Sequence, residues 1–167
     1  MLMINFGDQL AVFCAATFWS ELDVPQEKED LVEKIAADFA QQPDVFRRAV
    51  DKQIAKQAPM EDDEVTGYIA SVGEQVPEDS RRDVLKMVIE MMLTTADLNE
   101  DSSATILFLC EALGLPLEIA MVETMAFVKG NDVVVDNKED IVVVDRLSDI
   151  PTDNLFLIRG DVFNRLL

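Results

Sequence analysis

Residues 86–123 read KMVIEMMLTTADLNEDSSATILFLCEALGLPLEIAMVE, and the order of parts within them decides the fold. In the first run Met87, Val88, Ile89, Met91, Met92 and Leu93 are interrupted only by Glu90, which predicts a helix buried on nearly all sides. The acidic turn TADLNEDS follows, then the apolar run ATILFLCEAL, which Gly114 is placed to end. Pro116 opens a further helix, PLEIAMVETMAFVKG, that stops at Gly130. The same sequence of parts occurs earlier as AVFCAATFW, SELDVPQE, DLVEKIAADF and QQPDVFRRAV. The two copies match in pattern rather than identity, and a small gap aligns both the turns and the prolines. The fold class expected is mainly α: a compact bundle of about seven helices in a pseudo-duplicated arrangement.

Working outward, GDQLAVFCAATFWSEL reads as a buried helix over 7–22, and Pro25 suits the first turn of the next one, with Asp23 or a neighbour as cap. Leu31, Val32, Ile35, Ala36 and Phe39 form one apolar stripe, and after Pro43 so do Val45, Phe46, Ala49, Val50 and Ile54. A break at APMEDDE precedes a helix over 62–76, and Pro77 starts the buried run already described. From Asn131 the pattern changes. Two β-branched runs, 133–135 and 141–144, flank the turn-rich DNKED, and NLFLIR makes a third strand. The expected organisation is a helical domain over 1–130 with a small β meander over 131–167 packed on it, since a lone hairpin is marginal in water. The RGD at 159–161 is a chance string.

Composition narrows the chemistry. The 167 residues carry 14 basic against 33 acidic side chains, a net charge of −19, which repels nucleic acid and anionic lipid and attracts cations and basic protein surfaces. There is no histidine, so no Ser-His or Cys-His dyad and no imidazole metal ligand exists. Cys14 and Cys110 each sit inside an apolar helical run and read as buried core thiols, a usage that suits a reducing cytoplasm. The first basic residue is Lys28, so no charged segment precedes the apolar stretch, and no run is long enough to span a bilayer. No phosphate-binding glycine loop and no nucleophile elbow is visible. A cytoplasmic protein that is not an enzyme is expected.

In the turn, Asp97, Asn99 and Asp101 alternate as the first oxygen ligands of a calcium loop do. An EF-hand needs glycine at its sixth position and a bidentate glutamate at its twelfth; those places hold Ser102 and Phe108, so an EF-hand is rejected. Asn99 or Asp101 fits better as the N-cap of the following helix, with the acidic residues at the positive end of its dipole. The cluster at 60–64, MEDDE, reads as a solvated linker and cap, and Met87, Met91, Met92, Met121 and Met125 read as core filling rather than a partner groove.

Two copies of buried helix, acidic turn and amphipathic helix, ending EALGLPLEIAMVETMAF, resemble the TerB-like family of tellurite-resistance and stress-response helical domains over residues 7–129. In that family the turn carries alanine-aspartate-glycine before its acidic stretch; here Glu21 stands in the aspartate's place in the first copy, Asp97 takes it in the second after a shift, and neither turn keeps the glycine. The resemblance implies a non-enzymatic acidic interaction module whose turns hold a divalent cation, calcium or magnesium, weakly. Its ligands would be Glu21, Asp23, Asp97 and Asp101. The partner expected is a protein with a basic surface, with no direct nucleic-acid contact and no membrane insertion. Two other readings fit the same charge: an acidic decoy that occupies a DNA- or RNA-binding protein, and a structural subunit of a larger assembly, including a homo-oligomer formed through the C-terminal strands.

Overall fold

Local signals place each helix. In the computed structural model, residues 5–19 and 25–131 are described, together with the backbone of 133–136 and 141–144 and the burial of Val133. Among them are seven helices: α1 (Phe6–Ala16), α2 (Gln26–Asp38), α3 (Pro43–Gln57), α4 (Asp62–Gln75), α5 (Glu78–Leu93), α6 (Glu100–Ala112) and α7 (Leu117–Gly130). Asn5 caps α1 by accepting from the Asp8 amide at 2.8 Å, and Gln42 caps α3 by accepting from the Val45 amide at 2.7 Å. Pro43 is the first residue of α3, where its missing N–H costs nothing. Pro25, Pro77 and Pro116 instead sit one place earlier, as the extended N-cap residues of α2, α5 and α7.

α1 is buried along almost its whole length and packs on α3, α4 and α5. α5 is the other apolar axis, packed on α6 and α7. The five methionines of α5 and α7 named above are buried in one continuous core, as are both cysteines. α4 joins the two halves and is drawn against α6 at Gly73, where a Cβ would collide with the main-chain carbonyl of Ala112. Only glycine fits a backbone approach that close.

α2 and α6 end alike. Ala40 and Gly114 both have positive φ, 54° and 70°. After each, an amide reaches back five residues: Gln41 to the Ala36 carbonyl at 2.7 Å, and Leu115 to the Cys110 carbonyl at 3.1 Å. Both exits are therefore Schellman turns, one built on glycine and one on an alanine in the left-handed region.

Three expectations are corrected. The helix expected over 7–22 stops at Ala16: the Thr17 hydroxyl turns back to the Cys14 carbonyl at 2.6 Å, and Trp19 lies beyond the helix, 44% exposed. Val45 faces solvent; the inward face of α3 is Phe46, Val50, Gln53 and Gln57, because the two glutamines find buried partners. Gln57 Nε2 donates to the Val12 carbonyl at 3.1 Å, and Gln53 Oε1 accepts from the Tyr68 hydroxyl at 2.9 Å. Finally, Asp101 is the second residue of α6, and Asn99 alone is its cap.

β1 (Val133–Asp136) and β2 (Ile141–Val144) pair antiparallel, Val133 opposite Val144, and Val133 is buried in the helical core. The third strand expected at NLFLIR lies outside the described residues.

Candidate functional site

The second acidic turn is organised around its cap. Asn99 Oδ1 accepts from the Ser102 amide at 2.9 Å, and the Ser102 hydroxyl oxygen accepts from the Asn99 amide at 2.9 Å, a reciprocal capping box. Ser102 is buried and its hydroxyl donates to the Asp97 main-chain carbonyl at 2.7 Å, which closes the turn. The structure thus brings Asp97 and Asp101 to one turn, both exposed, and commits the Asn99 side chain to the helix. Glu21 and Asp23 lie outside the described residues. Among the described residues, no group of three or more carboxylate or thiol side chains is placed to hold a metal ion.

A different side chain links the start of α2 to the end of α1. Lys28 is the third residue of α2, as Ser102 is of α6, and it is 1% exposed. Its ammonium donates to the Thr17 main-chain carbonyl at the end of α1 and lies 4.7 Å from the centre of the Phe18 ring. A cation suits that helix end, where carbonyls point outward. Lys28 continues the stripe of Leu31, Val32 and Ile35 one turn toward the N-terminus, so its position on the inner face was readable, though its charge argued the other way. Burial pushes the Cys14 thiol up to about 12, with Lys28 pulling it back in part. Burial also pushes Cys110 up to about 11. Both shifts favour the thiol over the thiolate, the reactive form.

A groove that the sequence reading missed opens beside the end of α1. It has a volume of about 580 Å³ and is lined by Ala15, Phe18 and Trp19, by Ile54, Gln57 and Ala58 from the end of α3, by Met60, Asp62, Val65 and Thr66 around the start of α4, and by Phe108 of α6. Trp19 forms its edge. The indole N–H donates to Gln57 Oε1 at 2.9 Å, and the ring lies 6.2 Å from that of Phe108. Two of the polar groups in the walls are already engaged: Gln57 holds Trp19 and Val12, and the Thr66 hydroxyl donates to the Asp62 carbonyl at 2.6 Å, which leaves the Asp62 carboxylate. A smaller depression of about 170 Å³ shares Phe18 and Ile54 with it and adds Glu29, Val32, Arg47, Val50 and Asp51. Arg47 is paired with Glu33 at 2.9 Å.

At the α4 side of the groove stand four consecutive exposed carboxylates, Glu61, Asp62, Asp63 and Glu64. Glu61 occupies the N-cap position but its side chain makes no capping bond, and among the described residues no lysine or arginine pairs with any of the four. The ion pairs that do form lie elsewhere. Lys34 joins Asp38 at 2.8 Å and Glu90 at 2.7 Å, tying α2 to α5, and buried Glu123 accepts from Arg82 Nε at 2.6 Å.

No helix among the described residues is long and apolar enough to cross a membrane. No family model, curated protein or solved structure matches the chain. The class that the fold and site define is therefore a helical bundle with an anchored, half-exposed tryptophan and an acidic helix start beside an apolar groove.

Proposed function

We propose that this chain is a non-enzymatic acidic interaction module of TerB-like type, built from two copies of one helical unit, that docks a protein partner through a basic surface on that partner. The observation that carries the reading is the run Glu61–Asp62–Asp63–Glu64, four exposed carboxylates at one helix start that no lysine or arginine among the described residues pairs, in a chain with a net charge of −19. Some of that charge favours the α4 dipole, and the remainder is offered to solvent or to a partner. The test is titration with a Leu/Lys amphipathic peptide and its Leu/Glu counterpart at two salt concentrations. Preference for the Leu/Lys peptide, weakening as salt rises, is expected; equal binding of both peptides, or none, defeats the reading.

Weak binding of calcium or magnesium at the acidic turns belongs to the same proposal, with Asp97 and Asp101 as ligands in the second turn and Glu21 and Asp23 in the first. Thermal melts at fixed ionic strength, with chelator or with the cation, test it. A rise in Tm that the Asp97→Asn/Asp101→Asn variant loses is the expected result; no rise, or an equal rise in both proteins, leaves the turn as a cap alone.

A further inference from the structure

We infer that the groove between α1, α3, α4 and α6 is the seat of a basic amphipathic segment of a protein partner, its apolar side chains against Trp19 and Phe108 and its lysines or arginines along the acidic start of α4. The inference rests on the docking function proposed above and names the surface and the form of the ligand.

Three features select this occupant. The volume of about 580 Å³ lies within the range of ligand pockets in general, roughly 300–1,000 Å³. Two of the groove's polar wall groups, Gln57 and Thr66, already spend hydrogen bonds within the protein, and the one that is left, the Asp62 carboxylate, offers a cation a partner but no set of donors and acceptors to orient a polar metabolite. Such a wall recognises apolar anchors, and a tryptophan fixed at the rim is the residue type most enriched where anchors carry binding energy. The charge then decides which apolar segment fits. Asp62 lines the groove and Glu61, Asp63 and Glu64 are its exposed neighbours in the chain; the adjoining depression adds Glu29 and Asp51, while Arg47 in its lining is held by Glu33. An amphipathic helix with leucine or aromatic anchors and a basic flank complements this pattern, whereas an acidic segment is repelled.

The experiment uses the full chain, the Leu/Lys and Leu/Glu peptides, and the emission of Trp19. Saturable binding of the Leu/Lys peptide with a blue shift of the emission is expected. Ala58→Trp, which fills the groove, weakens that binding by about tenfold or more, and so does Asp62→Lys/Asp63→Lys; Asp83→Lys, the same kind of reversal on α5, which lines no part of the groove, changes it by less than about threefold. Melts of each variant check folding, and the double reversal keeps the test decisive if Ala58→Trp unfolds the protein. If the Leu/Lys peptide binds and neither groove variant weakens it, the acidic docking function stands and the groove is not its seat. If no charge-selective binding occurs, both fall. A photo-crosslinker at position 66 completes the set: capture of the peptide supports the proposal, while capture of the chain's own residues 132–167, or of a second copy, overturns it.

Discussion

The segment α1–α2–α3 and the segment α5–α6–α7 run through the same order of parts with different chemistry, and the differences show what each position demands. At the third residue of the helix after the turn, the second segment uses a serine and the first a lysine, and both are buried donors to a main-chain carbonyl of the preceding turn. A carbonyl left behind by a helix end has to be satisfied; the fold does not prescribe by what. At the helix exit the second segment uses glycine and the first alanine, with the same reach-back hydrogen bond. Here the backbone path is prescribed, and the first segment tolerates an unfavourable residue on it.

The sharpest way to break the comparison is at the two buried donors. Lys28→Ala removes a long stem from the core and leaves the Thr17 carbonyl without its ammonium; the expected cost is about 3 kcal/mol in urea unfolding. Ser102→Ala removes a smaller group and half of the capping box, for about 1 kcal/mol. Near-equal costs would show that the two donors do the same work despite their size and charge.

The helix exits should respond with opposite signs. Gly114→Ala places a Cβ in the left-handed region, 3.1 Å from Arg81 Nη1, and should lower stability by about 1–2 kcal/mol. Ala40→Gly relieves the same strain but makes the unfolded chain looser, so a gain of about 0.5 kcal/mol is expected. A loss at Ala40→Gly would mean that its methyl group contributes more than its backbone costs.

Smallest is the alkaline response. Cys14 and Cys110 are held protonated in the folded state, at about 12 and about 11 against an ordinary 9.0, so the unfolded chain gives up those protons first. The stability they contribute is complete below pH 9 and declines as pH rises toward their folded values. Hydrogen bonds to Asp38 and then Glu90 raise Lys34 above its ordinary 10.5, and its contribution is present below that pH and lost as pH climbs through the raised value. Because Lys34 is more than half exposed, solvent screens most of that contribution. Tm should therefore fall above pH 9, and Cys14→Ala should make the fall shallower; a Tm flat to pH 11 would contradict the burial of both thiols.

The helices were legible because burial imposes a 3.6-residue period, and the boundaries because proline, Gly114 and the Asn99 turn have few other uses. The methionines and thiols followed from the same period. What was not legible depended on partners distant in sequence. Gln53 and Gln57 are inward because Tyr68 and Val12 are there to receive them. Lys28 lies on the apolar stripe, but a charge on a stripe reads as solvated until the carbonyl that accepts it is placed. Ala40 carries no signal at all, since its conformation is imposed by the Schellman bond across it. The candidate groove was invisible for a similar reason: Trp19 was read as part of a buried helix, and only the end of α1 at Ala16 releases it to the rim. Of the residues expected to hold a cation, Asp97 is exposed in the turn before α6 and Asp101 is exposed in the first turn of that helix.

The burial of α1 has a consequence for biosynthesis. Leu10 through Cys14 are completely sequestered, yet the helix they belong to is translated before α3, α4 and α5, the elements that cover it. At ~5–20 residues per second, the interval before α5 is complete lasts on the order of ten seconds. Until α3 emerges the nascent chain carries an apolar helix without the element that covers most of it, and the cover is completed only when α4 and α5 follow.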